Sequence, residues 1–412
     1  MISFDPEPGA QHGLPLARWL MERGHRVKVL TSFPQYPAGK TYPGYRQRSF
    51  FREVMQGVPV LRVPIYPSHD TSALRRIATY GSFAASATFI GAPLVGPADV
   101  VFLYDPPPTT GVPALALSLL RRAPVVHHIA DMWPETVTES GMLRSELARS
   151  VAHASIGAYC KMLYSHAQHV SVLSPGFKRL LVERGVPAQK VSVIYNWADD
   201  AFRPLPKDAE YARALGVQGG FNVLYAGNVG PLQNIEVVVR AAALIKSHSD
   251  IQVHVVGTGP LLDRVKAVAK EVGAVNVNFV PRQPFGDMPR IQALADVLLV
   301  HLKDVPFLRA TIPSKTQVSM ACGRAVLMAA RGDAPDLILR AGAGSACEPD
   351  NPNALAAEML RLHSLPRPEL EAMGRNGRRY YEDHLSLDAS ARAMESLFCE
   401  AARSGRRAGK LA

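Results

Sequence analysis

A lysine at a helix start, together with two glycine-rich strand ends, is the pattern in this chain best suited to chemistry on an anion. YAGNVGPLQN (225–234) ends an apolar strand pattern and opens a helical one. Gly227 and Gly230 there let the backbone approach a ligand, and the helix N-terminus beyond favours negative charge. VVGTGP (255–260) repeats the arrangement one strand later, with Gly257 and Gly259 ahead of a helix expected near Pro260, since proline suits a first helical turn. Either turn alone has the spacing of an ordinary strand–helix turn. Two on neighbouring strands point at one crevice, where backbone N–H groups would converge on a diphosphate. TIPSKTQVSMACGRAVL (311–327) adds Lys315, after Pro313 and Ser314 at another helix start. A lysine so placed either meets phosphate as a point charge or is simply solvated.

A second candidate constellation lies in HHIADMWPET (127–136). Asp131 and Glu135 are four apart, on one helical face or in a loop, and two such carboxylates can orient a hydroxyl or serve as a base. The alternative is that Asp131 caps the following helix, with Pro134 in its first turn. His127 and His128 alternate across a strand, so one is expected in the core and one on a sheet surface, with no metal role. The segment 71–96 begins with Arg75 and Arg76 and then turns apolar. It reads either as an interfacial helix with its arginines among headgroups or as a buried crossover helix.

The elements that must position these residues follow one grammar. Apolar β-branched runs at 25–32, 58–65, 98–104, 123–130, 168–174 and 190–196 read as strands in the first half, and those at 221–227, 251–257, 275–281, 295–302 and 324–330 in the second. Helical patterns fall between many of them, as at 15–24, 234–248 and 260–273. Short buried strands alternating with helices imply parallel sheets covered on both faces, hence two Rossmann-like, doubly wound α/β domains with a cleft between them. The polar stretch 195–210 is the seam, which gives domains at 1–198 and 199–385 and a basic tail at 405–412 expected to be frayed. The helical pattern 386–404 either ends the second domain or packs back on the first. MISF (1–4) is short for the opening strand of such a domain, which means a start farther upstream or a trimmed sheet edge.

Composition bounds the rest. The 412 residues are 47% hydrophobic and 20% charged, a globular balance long enough for two or more domains. No apolar run reaches spanning length and no leader pattern is visible. Four cysteines without short ligand spacing argue against a zinc module and for a reducing, cytoplasmic setting. The net charge of +11 is concentrated in residues 1–190, with 20 Lys and Arg against 12 Asp and Glu. That bias fits phosphate-bearing partners or an anionic membrane surface. Nucleic acid is disfavoured, because no zinc-finger spacing or RNP-like string is present.

Taken in order, these stretches resemble a glycosyltransferase of family 4, nearest the WbuB-like branch that assembles bacterial O-antigen, capsule and colanic acid. The resemblance runs through nearly the whole chain, in DPEPGA (5–10), RGHRVKVLTSFPQYPAGKTYPGY (23–45), DMWPET (131–136), VLSPGFKRLLVERGVPAQKVSVIYNWAD (172–199), YAGNVGPLQN, VVGTGP, IPSK (312–315) and SMACGRAVL (319–327). It implies a GT-B fold and a retaining transfer from a nucleotide-diphosphate sugar, usually UDP-linked in that family, to a lipid-linked saccharide at the inner face of the cytoplasmic membrane. The nucleotide sugar is a substrate, and neither metal nor other cofactor is implied. Carried onto this chain, the resemblance places Gly227, Asn228, Gly230, Gln233 and Asn234 on the first diphosphate turn and Gly257, Gly259 and Pro260 on the second. It puts Arg282 beside the nucleobase, Ser314 and Lys315 on phosphate, and Asp131 and Glu135 on the acceptor side.

The chain also departs from that family. Two glutamates eight apart, one toward the donor sugar and one toward the ribose, are replaced by Ala310 and Val318. The basic pair of the first turn falls on Asn228 and Gln233, a change shared with the WbuB-like branch, and the glycine that often follows is Asn234. Asp131 follows Ala130 where His or Arg is common. The missing carboxylates keep open a degenerate, non-catalytic GT-B binding or scaffold protein. A UDP-sugar 2-epimerase is the remaining alternative, though no matching acid–base string is found.

Overall fold

In the computed structural model, residues 1–7, 12–68, 72–138, 145–217 and 220–411 are described. They form two compact units, Met1–Tyr195 with Ser390–Ala412, and Asn196–Ala389. The chain passes from the first to the second between Tyr195 and Asn196 and returns within one long helix, Leu387–Leu411. Residues 405–411, expected as a frayed tail, continue that helix.

The first unit holds β1 (Val29–Ser32), β2 (Phe51–Met55), β3 (Val58–Val63), β4 (Val101–Asp105), β5 (Val125–Ile129), β6 (His169–Val172) and β7 (Val191–Val193). Their hydrogen bonds define a three-stranded sheet, β1-β3-β2, and a parallel four-stranded sheet, β4-β5-β6-β7. The expectation of wholly parallel sheets needs one correction, since β2 pairs antiparallel with β3. The two are joined through Gln56 and Gly57, both at positive φ (47° and 87°), as a tight hairpin turn requires. FREVM alternates half-buried and exposed positions, the pattern of an edge strand with one wet face.

The N-terminal residues pack into the core of this unit. Ile2 and Phe4 are buried in the core among Val58, Val60, Val63 and Phe83. The Met1 amino group and the Ser32 N–H bond to Leu30 O (3.3 Å) and Ile2 O (3.3 Å), so residues 1–4 run beside β1. Thr31 Oγ1 and Ser32 Oγ also donate to Ile2 O, at 3.1 and 2.8 Å. The segment 72–96 has the buried face of a crossover helix and also an exposed apolar face. The helix Ala73–Ser86 continues through a wide turn, Ala87–Gly91, into Ala92–Val95. It buries Phe83, Ala84, Ala87 and Ala92 but leaves Leu74, Ile77 and Phe89 in solvent. The returning C-terminal helix docks through Glu395, which accepts from Arg23 Nε (3.0 Å) and bonds His25 Nε2 (2.7 Å), and through Phe398 edge-on to Phe102.

The second unit is one six-stranded parallel sheet. Its strands are β8 (Phe221–Ala226), β9 (Ile251–Val256), β10 (Val277–Val280), β11 (Val297–His301), β12 (Ala325–Ala329) and β13 (Gly344–Cys347), in the order β10-β9-β8-β11-β12-β13. β13 is built of GSAC and so escapes hydrophobic periodicity. The other five are mostly apolar, interrupted by Asn222, Gln252, His254, Asn278 and His301, close to the near-continuous apolar runs of a sheet covered on both faces. The helix Ile235–Leu244 packs against them through Ile235, Val238, Val239 and Ala242, spaced for one face. Strand order reverses between β8 and β11, and the carboxyl ends flanking that point are where such sheets bind ligands.

Candidate active site

β8 and β9 end in the two glycine-rich turns, which are laced together. Val229 N–H donates to Thr258 O (2.9 Å) and Leu261 N–H donates back to Val229 O (3.1 Å). A Cβ on Gly257 would lie 2.1 Å from Gly227 O, and one on Gly259 would lie 2.4 Å from Val229 O. Glycine is therefore demanded at both positions by the approach of one turn to the other, before any ligand is considered. The N–H groups of Val229 and Leu261 make the lacing bonds, and those of Gly227 and Gly257 are taken by Val256 O (2.9 Å) and Val280 O (3.2 Å). Those of Asn228, Gly230 and Gly259 make no protein hydrogen bond among the described residues, and buried or not they need a partner from water or ligand. The following helix begins at Leu262 rather than Pro260, which lies exposed in the turn.

Asn228 Nδ2 donates to Gln233 Oε1 across Gly230 (3.3 Å), where a Cβ would press on both amides. Asn234 adopts the left-handed conformation (φ 42°), and its Nδ2 donates to Asp350 Oδ1 at 2.6 Å. Asp350 Oδ2 accepts the Asp304 N–H at 2.9 Å. Beneath them His301 is fully buried, with Nδ1 2.9 Å from Gln233 O and Nε2 3.4 Å from Asp350 N. A carbonyl only accepts and an N–H only donates, so the proton sits on Nδ1 and the ring is neutral. Desolvation agrees, lowering its pKa to about 4.

Lys315 opens the helix Ser314–Ala321, and its side chain crosses the face of Gly227. Nζ donates to Tyr225 Oη at 2.6 Å and lies 4.3 Å from the centre of that ring. Tyr225 Oη donates in turn to Asn228 O. No carboxylate pairs with Lys315 among the described residues, and burial lowers its pKa to about 8. Ser314 is exposed at the first position of the same helix, and Arg282 is exposed just beyond β10. The structure thus gathers Gly227, Asn228, Gly230, Gln233, Gly257, Gly259 and Lys315 at neighbouring turns and ties Asn234 to Asp350. Ala310 is buried and Val318 half-buried, so neither offers a polar group.

In the other unit, β4 and β5 end side by side at Asp105 and Ile129. Asp131 follows β5 with its side chain reaching solvent. Its surroundings nonetheless raise its pKa above the usual aspartate range, by desolvation first and by the charge of Asp105 second. Among the described residues no helix N–H bonds its side chain, and the helix that follows is the four-residue turn Glu135–Thr138. Glu135 has a different fate. It pairs with Arg184, whose Nη1 also donates to Trp133 O at 2.9 Å. The pair of carboxylates is therefore one open group and one ion-paired group. The expectation that one of the two histidines faces a sheet surface is corrected, because both are wholly buried in the central strand β5. His127 Nε2 bonds Asp105 Oδ2 and His128 Nδ1 bonds Ser171 Oγ, each at 2.9 Å. Tyr104 stacks on His128 and lies tilted against His12, whose pKa burial lowers to about 3. Among the described residues no three His, Cys, Asp or Glu side chains assemble into a metal site.

Tyr225, His301 and Asp350 belong to this arrangement, but no residue pattern announces them. Tyr225 reads as one more apolar strand residue, and the other two come from remote stretches.

Comparison with known proteins places both halves. Residues 10–197 match the glycosyl transferase 4-like domain, and residues 209–380 match the glycosyl transferases group 1 family. The putative colanic acid biosynthesis glycosyl transferase WcaI of Escherichia coli K12 is 28% identical over 371 residues, covering 85% of this chain and 88% of that one. The probable glycosyltransferase WbjE of Pseudomonas aeruginosa is 27% identical over 277 residues, covering 66% and 68%. Among solved structures, Anabaena HepE in complex with UDP-glucose superposes with a TM-score of 0.63 at 16% identity, covering 84% of this chain and 86% of that one.

Proposed function

From a chain that belongs to the family 4-type glycosyltransferases of GT-B fold, we propose a retaining transfer from a UDP-sugar to a lipid-linked saccharide in surface-polysaccharide assembly. The observation that carries the donor half of this reading is Lys315, a cation without a carboxylate partner among the described residues, lying against the first of two laced glycine turns. The binding of UDP-glucose by HepE, and the pathway named for WcaI, support the donor and the setting.

In this reading the bond from the sugar's anomeric carbon to the diphosphate breaks, and its electron pair leaves with the diphosphate. Lys315 and the N–H groups of Asn228, Gly230 and Gly259 stabilise the charge that develops there, the kind of preorganised electrostatics that usually dominates such catalysis. The acceptor hydroxyl oxygen forms the new bond on the face the diphosphate vacates. Its proton needs a base, and Asp131 is the candidate. A carboxyl whose pKa lies above the aspartate norm holds a proton better than an ordinary one. Ser314 adds a phosphate contact, Gln233 and Asn234 shape the first turn, and Arg282 faces the nucleobase of the donor. Pro260 shapes the second turn. Glu135 positions the Asp131 loop through Arg184 rather than reacting itself.

The acceptor half rests on the first unit. Its basic excess accompanies exposed Leu74, Ile77 and Phe89 on one helical segment, a combination that suits peripheral contact with an anionic leaflet. No described helix is long and apolar enough to cross a membrane.

A second reading, a binding protein without turnover, is favoured by one observation, the absence of polar groups at positions 310 and 318. Calorimetry with UDP-, GDP- and dTDP-sugars, together with an assay for donor hydrolysis and transfer, separates the two. UDP-sugar binding with turnover is expected. Binding without hydrolysis or transfer across a broad acceptor panel would establish the binding protein, and no nucleotide-sugar binding would sink both.

A further inference from the structure

We infer that Tyr225 is a positioning residue for Lys315, holding its ammonium at the first glycine turn in the absence of ligand. The inference rests on Lys315 being the cation that meets the donor diphosphate.

The geometry is specific. The Tyr225 ring is fully buried in the sheet core at the carboxyl end of β8, so its hydroxyl cannot wander. That hydroxyl has one proton, and it goes to Asn228 O, which can only accept. Its lone pairs are left to accept a hydrogen bond from Lys315 Nζ at 2.6 Å. The same nitrogen sits 4.3 Å from the ring centre, within range of the negative π face. Burial raises the phenol's pKa, so the hydroxyl stays protonated across the working range and the direction of the relay is fixed. Tyr225 thus joins the cation to the backbone of the turn that carries the unbonded N–H groups of Asn228 and Gly230.

This matters because a lysine is otherwise a poor fixed charge. Its four-carbon stem has rotamer entropy to lose on binding. The two turn positions where a basic pair would sit hold amides, Asn228 and Gln233, so one lysine supplied from another helix must serve. Holding it in place before the ligand arrives removes part of the ordering cost of binding. Gly227 completes the arrangement by leaving room for the lysine stem.

A double-mutant cycle tests the inference. UDP affinity is measured by calorimetry for the wild type, Tyr225→Phe, Lys315→Met and the double variant, with melting curves for each. Tyr225→Phe keeps the ring and its packing and removes only the hydroxyl. It is expected to weaken UDP binding on the order of five- to tenfold, the scale of one net intramolecular hydrogen bond. In the Lys315→Met background the same change should cost nothing further. Equal losses in both backgrounds would overturn the inference, because Tyr225 would then act without Lys315. A second readout needs no nucleotide. The pH dependence of Lys315 acylation by acetic anhydride, read by peptide mass spectrometry, should move when the hydroxyl is removed. An unmoved midpoint overturns the inference even if the protein binds no UDP, whereas a moved midpoint without UDP binding upholds the Tyr225–Lys315 coupling and rejects the donor reading alone.

Discussion

Lys315 lies so close over Gly227 that a Cβ at position 227 would sit 2.3 Å from its Cε and 2.8 Å from its Nζ. The glycine is also at φ 143°, a conformation that L side chains rarely adopt. Backbone shape and lysine placement therefore depend on the same residue. Gly227→Ala should displace Lys315 before it disturbs the sheet. We expect UDP affinity to fall at least about tenfold, with melting lowered by a few degrees, as a loss of about 1–2 kcal/mol in a domain of this size would give. Calorimetry and a melting curve check both, and unchanged affinity would show that the lysine does not need this path.

The pH dependence of nucleotide binding follows from the same lysine. Burial lowers its pKa from 10.5 to about 8. In the free protein the folded state binds this proton less tightly than the unfolded chain does. The resulting penalty on stability is fully present below about 8 and is relieved as pH rises toward 10.5. Diphosphate binding has the opposite sign, since it uses the charged form. The stabilisation by UDP should therefore weaken as pH rises from 7 through 9 in the wild type and stay flat in Lys315→Met. Parallel slopes in the two proteins would assign the effect to another group.

Much of this was legible in the residues, and the reason is local. The glycine turns, the helix start at Ser314 and the strands around them are each encoded within about ten neighbouring residues. Turn chemistry and buried-strand composition therefore reveal them directly. What was hidden depends on partners far apart in sequence. The lacing of Val229 to Thr258, the Tyr225 hydroxyl beneath Lys315, and His301 propping Gln233 all require the fold to be closed first. Glu135 shows the limit most clearly. Its spacing from Asp131 suggested a reactive pair, and only the arrival of Arg184, 49 positions later, turns it into half of an ion pair. The opening residues 1–4 mislead in the other direction, because four residues look too few for a core segment until β1 supplies the hydrogen bonds.

Asp350 holds the first turn from outside it. One oxygen takes Asn234 Nδ2 at 2.6 Å and the other takes the Asp304 N–H at 2.9 Å. Asp350→Asn keeps the size of the side chain but loses the charge and turns one acceptor into a donor, which cannot face an N–H. The cost should be about 1–3 kcal/mol, as for one broken charge-assisted bond and one mismatched group. Melting should fall accordingly. Hydrogen exchange should rise at Asn234 and in the first turn of the helix Ile235–Leu244, while β9 and β10 stay protected. Exchange that rises evenly through the sheet would mean a global effect instead.

Asp131 and Glu135 should respond differently to the same kind of change. Asp131→Asn removes a base without removing a helix cap. Transfer should drop by roughly 10²–10⁴, the range for a general base, with UDP affinity nearly unchanged. Glu135→Gln weakens the hold on Arg184 instead, so its effect should appear in melting temperature more than in the chemical step. Steady-state transfer, donor calorimetry and melting curves on both variants distinguish these outcomes. Full activity in Asp131→Asn would remove it from the chemistry.

The last expectation concerns the surface of the first unit. Leu74, Ile77 and Phe89 are 79%, 66% and 79% exposed on the helical segment Ala73–Val95, whose other residues Phe83, Ala87 and Ala92 are in the core. Residues 1–190 also carry 20 basic against 12 acidic side chains. The two features make separable contributions to membrane contact. The charge attracts an anionic leaflet over a Debye length of about 8 Å at physiological salt, so binding to phosphatidylglycerol vesicles should fall as salt rises. The apolar residues act only after contact, by leaving water for the headgroup–acyl boundary. Ile77→Ser with Phe89→Ser should therefore lower affinity at every salt concentration while leaving the salt slope unchanged. Vesicle co-sedimentation at several ionic strengths, with phosphatidylcholine vesicles as the uncharged reference, reads both terms. Equal binding to the two lipids, or wild-type affinity in the double variant, would show that this segment is not the contact.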